Sequence, residues 1–229
     1  MTEIHRHFHE ELADVRSRLV TMSGAAEAAL SMAVDALLSR DDNKAQAVIL
    51  GDREIDTREV DIEERCISLL ALQQPMARDL RMLTSAMRIA NDLERVGDHA
   101  VNIAQSATRI SKARQIVPEP EVVEMARLTR SMLADSIDAF IRGDAKAGRE
   151  ICRRDDQVDA LNRSVFRILL THMMENPQMI STGMEILLVS RNLERVADLA
   201  TNVAEGVVFL VEGKSIKHHA EDGGDQLSP

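Results

Sequence analysis

The strongest constraint on this chain is that it states one pattern twice. The segment DLERVGDHAVNIA, residues 92–104, returns as NLERVADLATNVA, residues 192–204, so that Glu94 and Glu194 stand 100 positions apart. A second echo joins GDREID, which holds Asp52 and Asp56, to RDDQVD, which holds Asp155 and Asp159, at an offset of 103. Two offsets so nearly equal mean that both halves carry the same elements in the same order, with small deletions between them. The chain reads as a tandem repeat of one structural unit.

That unit is helical. On residues 75–111, Met82, Ala86, Ile89, Leu93, Val96, Ala100 and Ile103 fall in one apolar row at a spacing near 3.6, and Ile186, Val189, Leu193, Val196, Ala200, Val203 and Val207 repeat it. Met22, Ala26, Ala29, Ala33 and Leu37 do the same near the start. The breakers RDDN, QQP, PEPE, RGD and Asn176-Pro177 cut the chain into helical stretches at 5–39, 44–72, 75–111, 122–141, 145–174 and 177–211. Pro75 and Pro177 are expected in first helical turns, and Asn176 as a cap. Aromatic residues are only 2%, with no Trp or Tyr, while Ala, Leu, Met, Glu and Arg abound, which favours helix over sheet. The expected fold is all-α, two tandem three-helix bundles at 1–115 and 116–213, with a disordered tail at 214–229.

Charge and cysteines remove several functions. With 38 acids against 28 bases the chain carries −10, without the cationic groove or stacking aromatics of a nucleic-acid binder. Cys66 and Cys152 form no C-x-x-C pair, so reduced core thiols are expected rather than a disulfide or zinc site. No apolar run approaches the ~18 residues of a membrane span, and the charged start MTEIHRHFHEEL lacks a signal-like apolar region. A cytoplasmic protein is expected.

The chemistry lies in four acid pairs. Glu94 interrupts the apolar row Leu83, Met87, Ala90, Gly97, Val101, Ala104, and Asp98 follows one turn on; Glu194 and Asp198 take the same places in the second half. Asp52 and Asp56, beside Val48, Ile49, Ile55 and Val60, and Asp155 and Asp159, beside Ile151, Val158 and Phe166, supply a second i, i+4 pair to each repeat. One acidic pair on a helix is ordinarily a solvated face. Four pairs at apolar borders differ, because like charges one turn apart weaken a helix and uncompensated buried carboxylates cost several kcal/mol each. At ~100° per residue Arg95 and Arg195 should point away from the acids. Cations from outside are therefore expected.

The donors are oxygens only: Asp52, Asp56, Glu94 and Asp98 in one half, Asp155, Asp159, Glu194 and Asp198 in the other, with Asn102 and Asn202 one turn further on. Such sets suit hard metal cations such as iron, manganese or magnesium, and four carboxylates leave room for a multinuclear cluster.

These residues carry a family resemblance. Duplicated D-x-x-x-D and E-x-x-x-D motifs, with LERVGDHAVNIA and QQPMARDLR, resemble the PhoU family along essentially the whole chain. The resemblance implies two three-helix bundles, each binding a metal cluster on the acids just named. It also implies a negative regulator of phosphate uptake and phosphate-starvation signalling, with a phosphate ABC transporter (its ATPase subunit) and a phosphate-sensing histidine kinase as partners. Ala197 and Leu199 replace Gly97 and His99, which weakens the match at the second site. The long helices would also suit a homodimer.

Two rival classes stand beside this. A carboxylate-bridged di-iron enzyme would want an E-x-x-H pair on each of two helices, and no Glu here is followed by His at the third position. No Gly-rich phosphate loop or nucleophile with a partnered base is apparent either, so no enzyme is expected. A metal-free helical adaptor is the third reading. His5, His7 and His9, the His218-His219 pair and an outward His99 are read as solvated polar residues, and the Met residues as core filling or an adaptable surface.

Overall fold

The computed structural model describes residues 3–112 and 119–216. Within them are six α-helices: α1 Glu3–Ser39, α2 Asp42–Gln73, α3 Ala77–Ser111, α4 Pro120–Arg142, α5 Ala145–Glu175 and α6 Ile180–Glu212. The expected tail beyond 216, Pro118 and the side chain of His5 lie outside the described residues.

Local chemistry sets the ends. The Asp41 carboxylate accepts hydrogen bonds from the amides of Asn43 (2.9 Å) and Lys44 (3.3 Å), satisfying donors that the first turn of α2 leaves free. Asp144 does the same for Ala147 at 2.9 Å at the start of α5. Immediately before it Gly143, at φ +63°, ends α4 in the left-handed region and donates to the carbonyls of Ala139 and Phe140. Asn176 accepts from the Gln178 amide at 3.1 Å and opens a 3₁₀ turn, Pro177–Met179, that runs into α6.

Two boundaries depart from the sequence reading. Pro75 is not in the first turn of α3: the chain turns through left-handed backbone at Gln74 and Ala77 (φ +46° and +50°), and the helix begins two residues after the proline. PEPE is not wholly a linker, because Pro120 takes the first turn of α4, where its missing N–H costs nothing.

Each repeat packs as three helices, α1–α3 and α4–α6, and α3 and α6 also pack along each other, with α1 touching α4. All seven residues of each long apolar row are buried, in a core that runs unbroken through both bundles. Polar ties along the α3–α6 seam fix its direction. Arg81, early in α3, donates to the Leu210 carbonyl late in α6 (3.4 Å), and Arg109, late in α3, pairs with Glu185 early in α6 (3.0 Å). Between them His99 Nδ1 meets Asn192 Oδ1 at 2.9 Å. The two helices are antiparallel, and His99 is a half-buried bridge rather than the expected outward polar residue.

The second repeat closes tightly at Gly148. A methyl there would lie 2.8 Å from the Ala204 carbonyl oxygen of α6 and 3.2 Å from Val208, whereas at Gly24 on α1 nothing lies within 4 Å. Gly148→Ala is expected to destabilise the protein by about 1–3 kcal/mol through overpacking, and Gly24→Ala to stabilise it by roughly 0.5–1 kcal/mol through helix propensity. Urea unfolding of both variants checks the opposite signs.

Candidate metal centres

In the first repeat α2 and α3 bring their acids to a common face. Asp52 and Glu94 are half-buried at the seam, while Asp56 and Asp98 are exposed above it. Burial, and then the charges of Asp56 and Asp98, hold the Asp52 carboxyl above the usual carboxylate range. Burial also raises Glu94, followed by Asp98, Glu59, Asp56 and Asp52. Each half-buried acid thus feels the charges of the other helix. Gly97 makes the approach possible, since a methyl on it would stand 3.0 Å from Asp52 Oδ1 and from Ile55 Cδ1. Glu59 was missed in the sequence, although it lies two turns beyond Asp52 on the same face.

The second repeat repeats the arrangement with a difference in its charges. Asp155 is half-buried, and its pKa is pushed up to about 6, by burial first and then by Asp198, Asp159, Asp156 and Glu194. Asp156 is a second acid the pattern did not flag. Glu194 Oε2 and Thr201 Oγ1 are buried without a hydrogen-bond partner, an incomplete arrangement in a protein interior. Beside them lies a cavity of about 280 Å³ lined by Asp155, Asp198, Thr201, Asn202, Leu199, Arg95 and Arg195.

The expectation that the arginines point away from the acids of their own helix is corrected for Arg195. Arg195 reaches Asp198 at 3.2 Å, one turn along its own helix, and Arg95 lines the cavity from the other repeat. Long side chains fold back along the helix axis, so angular position alone does not fix where a guanidinium sits. Asp159 has Arg163 at 3.7 Å. Phe166, expected to border the acids, is exposed instead, as is Val60. Asn202 lines the cavity, whereas Asn102 is exposed.

As they stand, no three His, Cys, Asp or Glu side chains among the described residues are gathered closely enough to hold a metal ion. The donor chemistry still fits a hard cation: oxygen ligands from two packed helices, an unpartnered buried carboxylate oxygen at Glu194, and burial that raises Asp52, Glu94 and Asp155. The thiols do not compete, since burial pushes both Cys66 and Cys152 up to about 11 and keeps them protonated.

The fold and these faces define a class, a helical protein made of a duplicated three-helix unit with an acidic helix pair in each half. The PhoU domain matches residues 19–107 and again 122–207. The chain is 36% identical over 210 residues to a phosphate-specific transport system accessory protein PhoU homolog of Clostridium acetobutylicum, a match spanning 91% of this chain and 96% of that one. It is 37% identical over 217 residues to the homolog of the same name from Aquifex aeolicus, spanning 94% and 98%. The crystal structure of PhoU from Pseudomonas aeruginosa superposes with a TM-score of 0.87 at 38% identity, over 90% of this chain and all of that one. The phosphate transport system regulatory protein PhoU from Streptococcus pneumoniae superposes at 0.85 and 32% identity, over 91% and 98%. The chain belongs to the PhoU family.

A pH prediction follows from Asp155. Its folded-state pKa lies above its unfolded value, so its contribution to stability is fully present below the unfolded value and is lost as the pH rises through about 6. The contribution of Asp155 should therefore make chelator-treated protein more stable at pH 5 than at pH 7. Asp155→Asn should raise stability at pH 7 by on the order of 1 kcal/mol, because the half-exposed carboxyl is screened by solvent, and add little at pH 4. Thermal melts of both proteins across that range measure it; equal loss of stability at every pH would contradict the assignment.

Proposed function

We propose that this protein is a metal-binding accessory regulator of phosphate-specific transport, lowering phosphate uptake and phosphate-starvation signalling when phosphate is plentiful. Family membership and the names of its relatives support the transport role. The observation that carries the metal reading is the unpartnered, buried Glu194 Oε2 beside Asp155, whose carboxyl is raised first by burial and then by four neighbouring acids. Asp52, Asp56, Glu94 and Asp98 would hold iron, manganese or magnesium in one half, and Asp155, Asp159, Glu194 and Asp198 in the other. A bound cation supplies positive charge where the chain has concentrated negative charge.

The protein's own residues do the rest by contact. The α3–α6 seam holds the two acidic faces in one rigid frame. Docking on the transporter's ATPase subunit and on a sensor histidine kinase would shift the kinase between its states, since a binding partner biases an equilibrium only through unequal affinity for its two ends. This action is non-enzymatic. We place it in the cytoplasm, with a homodimer as a further part of the reading; no described helix is long and apolar enough to cross a membrane. One observation favours a metal-free adaptor instead, namely that the acids do not close into a three-ligand cage as they stand.

Deleting the gene is expected to raise phosphate uptake and starvation-gene expression in phosphate-rich medium; unchanged levels of both would refute the regulatory role. Glu94→Ala with Asp98→Ala should remove about half the metal counted per chain by elemental analysis, because two like sites are proposed. Wild-type protein purified without metal, and taking up none on addition of iron, manganese or magnesium, would favour the adaptor.

A further inference from the structure

Next to the acidic face of the second repeat, further along the same two helices, α5 and α6 leave an open groove of about 580 Å³ between them. Phe166, Met184 and Leu188 line it and stand 53%, 50% and 45% exposed. Arg163, Arg167 and Arg191 line the same groove. Arg163 is drawn toward Asp159 at 3.7 Å, whereas Arg167 and Arg191 make no ion pair among the described residues. In a chain of net charge −10, three cations around an apolar groove are a local inversion.

The repeat supplies an internal control. At the offsets that relate the two halves, Phe166 and Arg167 correspond to Glu63 and Glu64, and Met184 and Leu188 to Thr84 and Arg88. The first repeat builds the same helix pair with Glu64 and Asn91 where Arg167 and Arg191 stand and with Glu63, Thr84 and Arg88 in place of the exposed apolar residues, so the fold itself does not require this combination. Exposed large side chains in one patch are a standing cost in water, about 25 cal/mol for each Å² a partner would cover.

We propose that this groove docks an acidic amphipathic helix of a protein partner. A trough between two helices accepts a rod about 10 Å across through apolar anchors at i, i+3 and i+4. Carboxylates on the borders of that rod would meet Arg167 and Arg191, which set its orientation and speed the encounter. A concave trough suits a rod better than a flat lipid surface, and an anionic membrane would repel the acidic remainder of the chain. The inference deepens the docking part of the proposed function and rests on it only in that the protein acts by contact. None of the groove residues is among the eight acids.

The test is a selection on the full chain with a display library of 20-residue, leucine-faced helices whose polar positions are randomised. Wild-type protein is expected to enrich acidic helices, and Leu188→Glu to bind those helices at least about tenfold more weakly. The double variant Arg167→Glu, Arg191→Glu should enrich basic helices instead, a gain that a misfolded protein would not show. Enrichment of the same polar faces on wild type and double variant, or no enrichment, overturns the proposal. So does a wild-type dimer in sedimentation that Leu188→Glu dissolves without any peptide capture, which would make the occupant a second copy. Co-flotation with phosphatidylglycerol vesicles that needs Arg167 and Arg191, again without peptide capture, would make it lipid. The gene-deletion phenotype reports on the regulatory reading separately from any of these outcomes.

Discussion

Everything in this molecule hangs on the burial of α3 against α6. These are the two copies of the same helix, and each packs against the other as extensively as against the helices of its own repeat. Packed antiparallel, they convert two small cores into one continuous core, and burial of that kind is the dominant favourable contribution to folding. The polar ties on the seam, His99 to Asn192 and Arg109 to Glu185, add direction more than energy, since partly exposed pairs contribute little. Because α3 and α6 each carry half of an acidic face, the packing of this seam sets how the two faces stand to one another.

The acidic faces work against that stability. Asp52, Glu94 and Asp155 keep carboxyls half-buried beside other carboxyls, and their raised pKa values measure how strongly the fold disfavours ionising them. A protein selected only to stay folded would replace these acids or pair them. The second repeat goes part of the way, with Arg195 on Asp198 and Arg95 lining the shared cavity, while Glu194 still keeps a buried oxygen unpartnered. Strain retained in both copies of a repeat is what a site for an external cation would leave behind.

The duplication has not kept the halves alike. Gly97 admits Asp52 to the seam of the first repeat, whereas Ala197 stands buried in its place in the second. His99 became a bridge between bundles, and its counterpart Leu199 became core. On the α5–α6 side the second repeat has Phe166, Arg167, Met184 and Leu188 where the first has Glu63, Glu64, Thr84 and Arg88. Such differences are where one copy can take on work that the other does not share.

The amino-acid sequence alone determined the class of fold and the six helices and marked the four acid pairs as candidates, because those depend on local spacing: apolar rows at 3.6, breakers between them, a cap at Asn176, and a motif written twice. What it left out depends on residues far apart in the chain or on side-chain reach. Arg195 turning back to Asp198, Arg95 crossing to the other half, Phe166 facing water, and Glu59 and Asp156 joining the acidic faces are of that kind. The start of α3 beyond Pro75 belongs with them, since only the packed neighbours decide where the chain can turn. Periodicity fixes which side of a helix a residue occupies; tertiary packing decides what stands opposite it, and only the second sets burial, charge and contact.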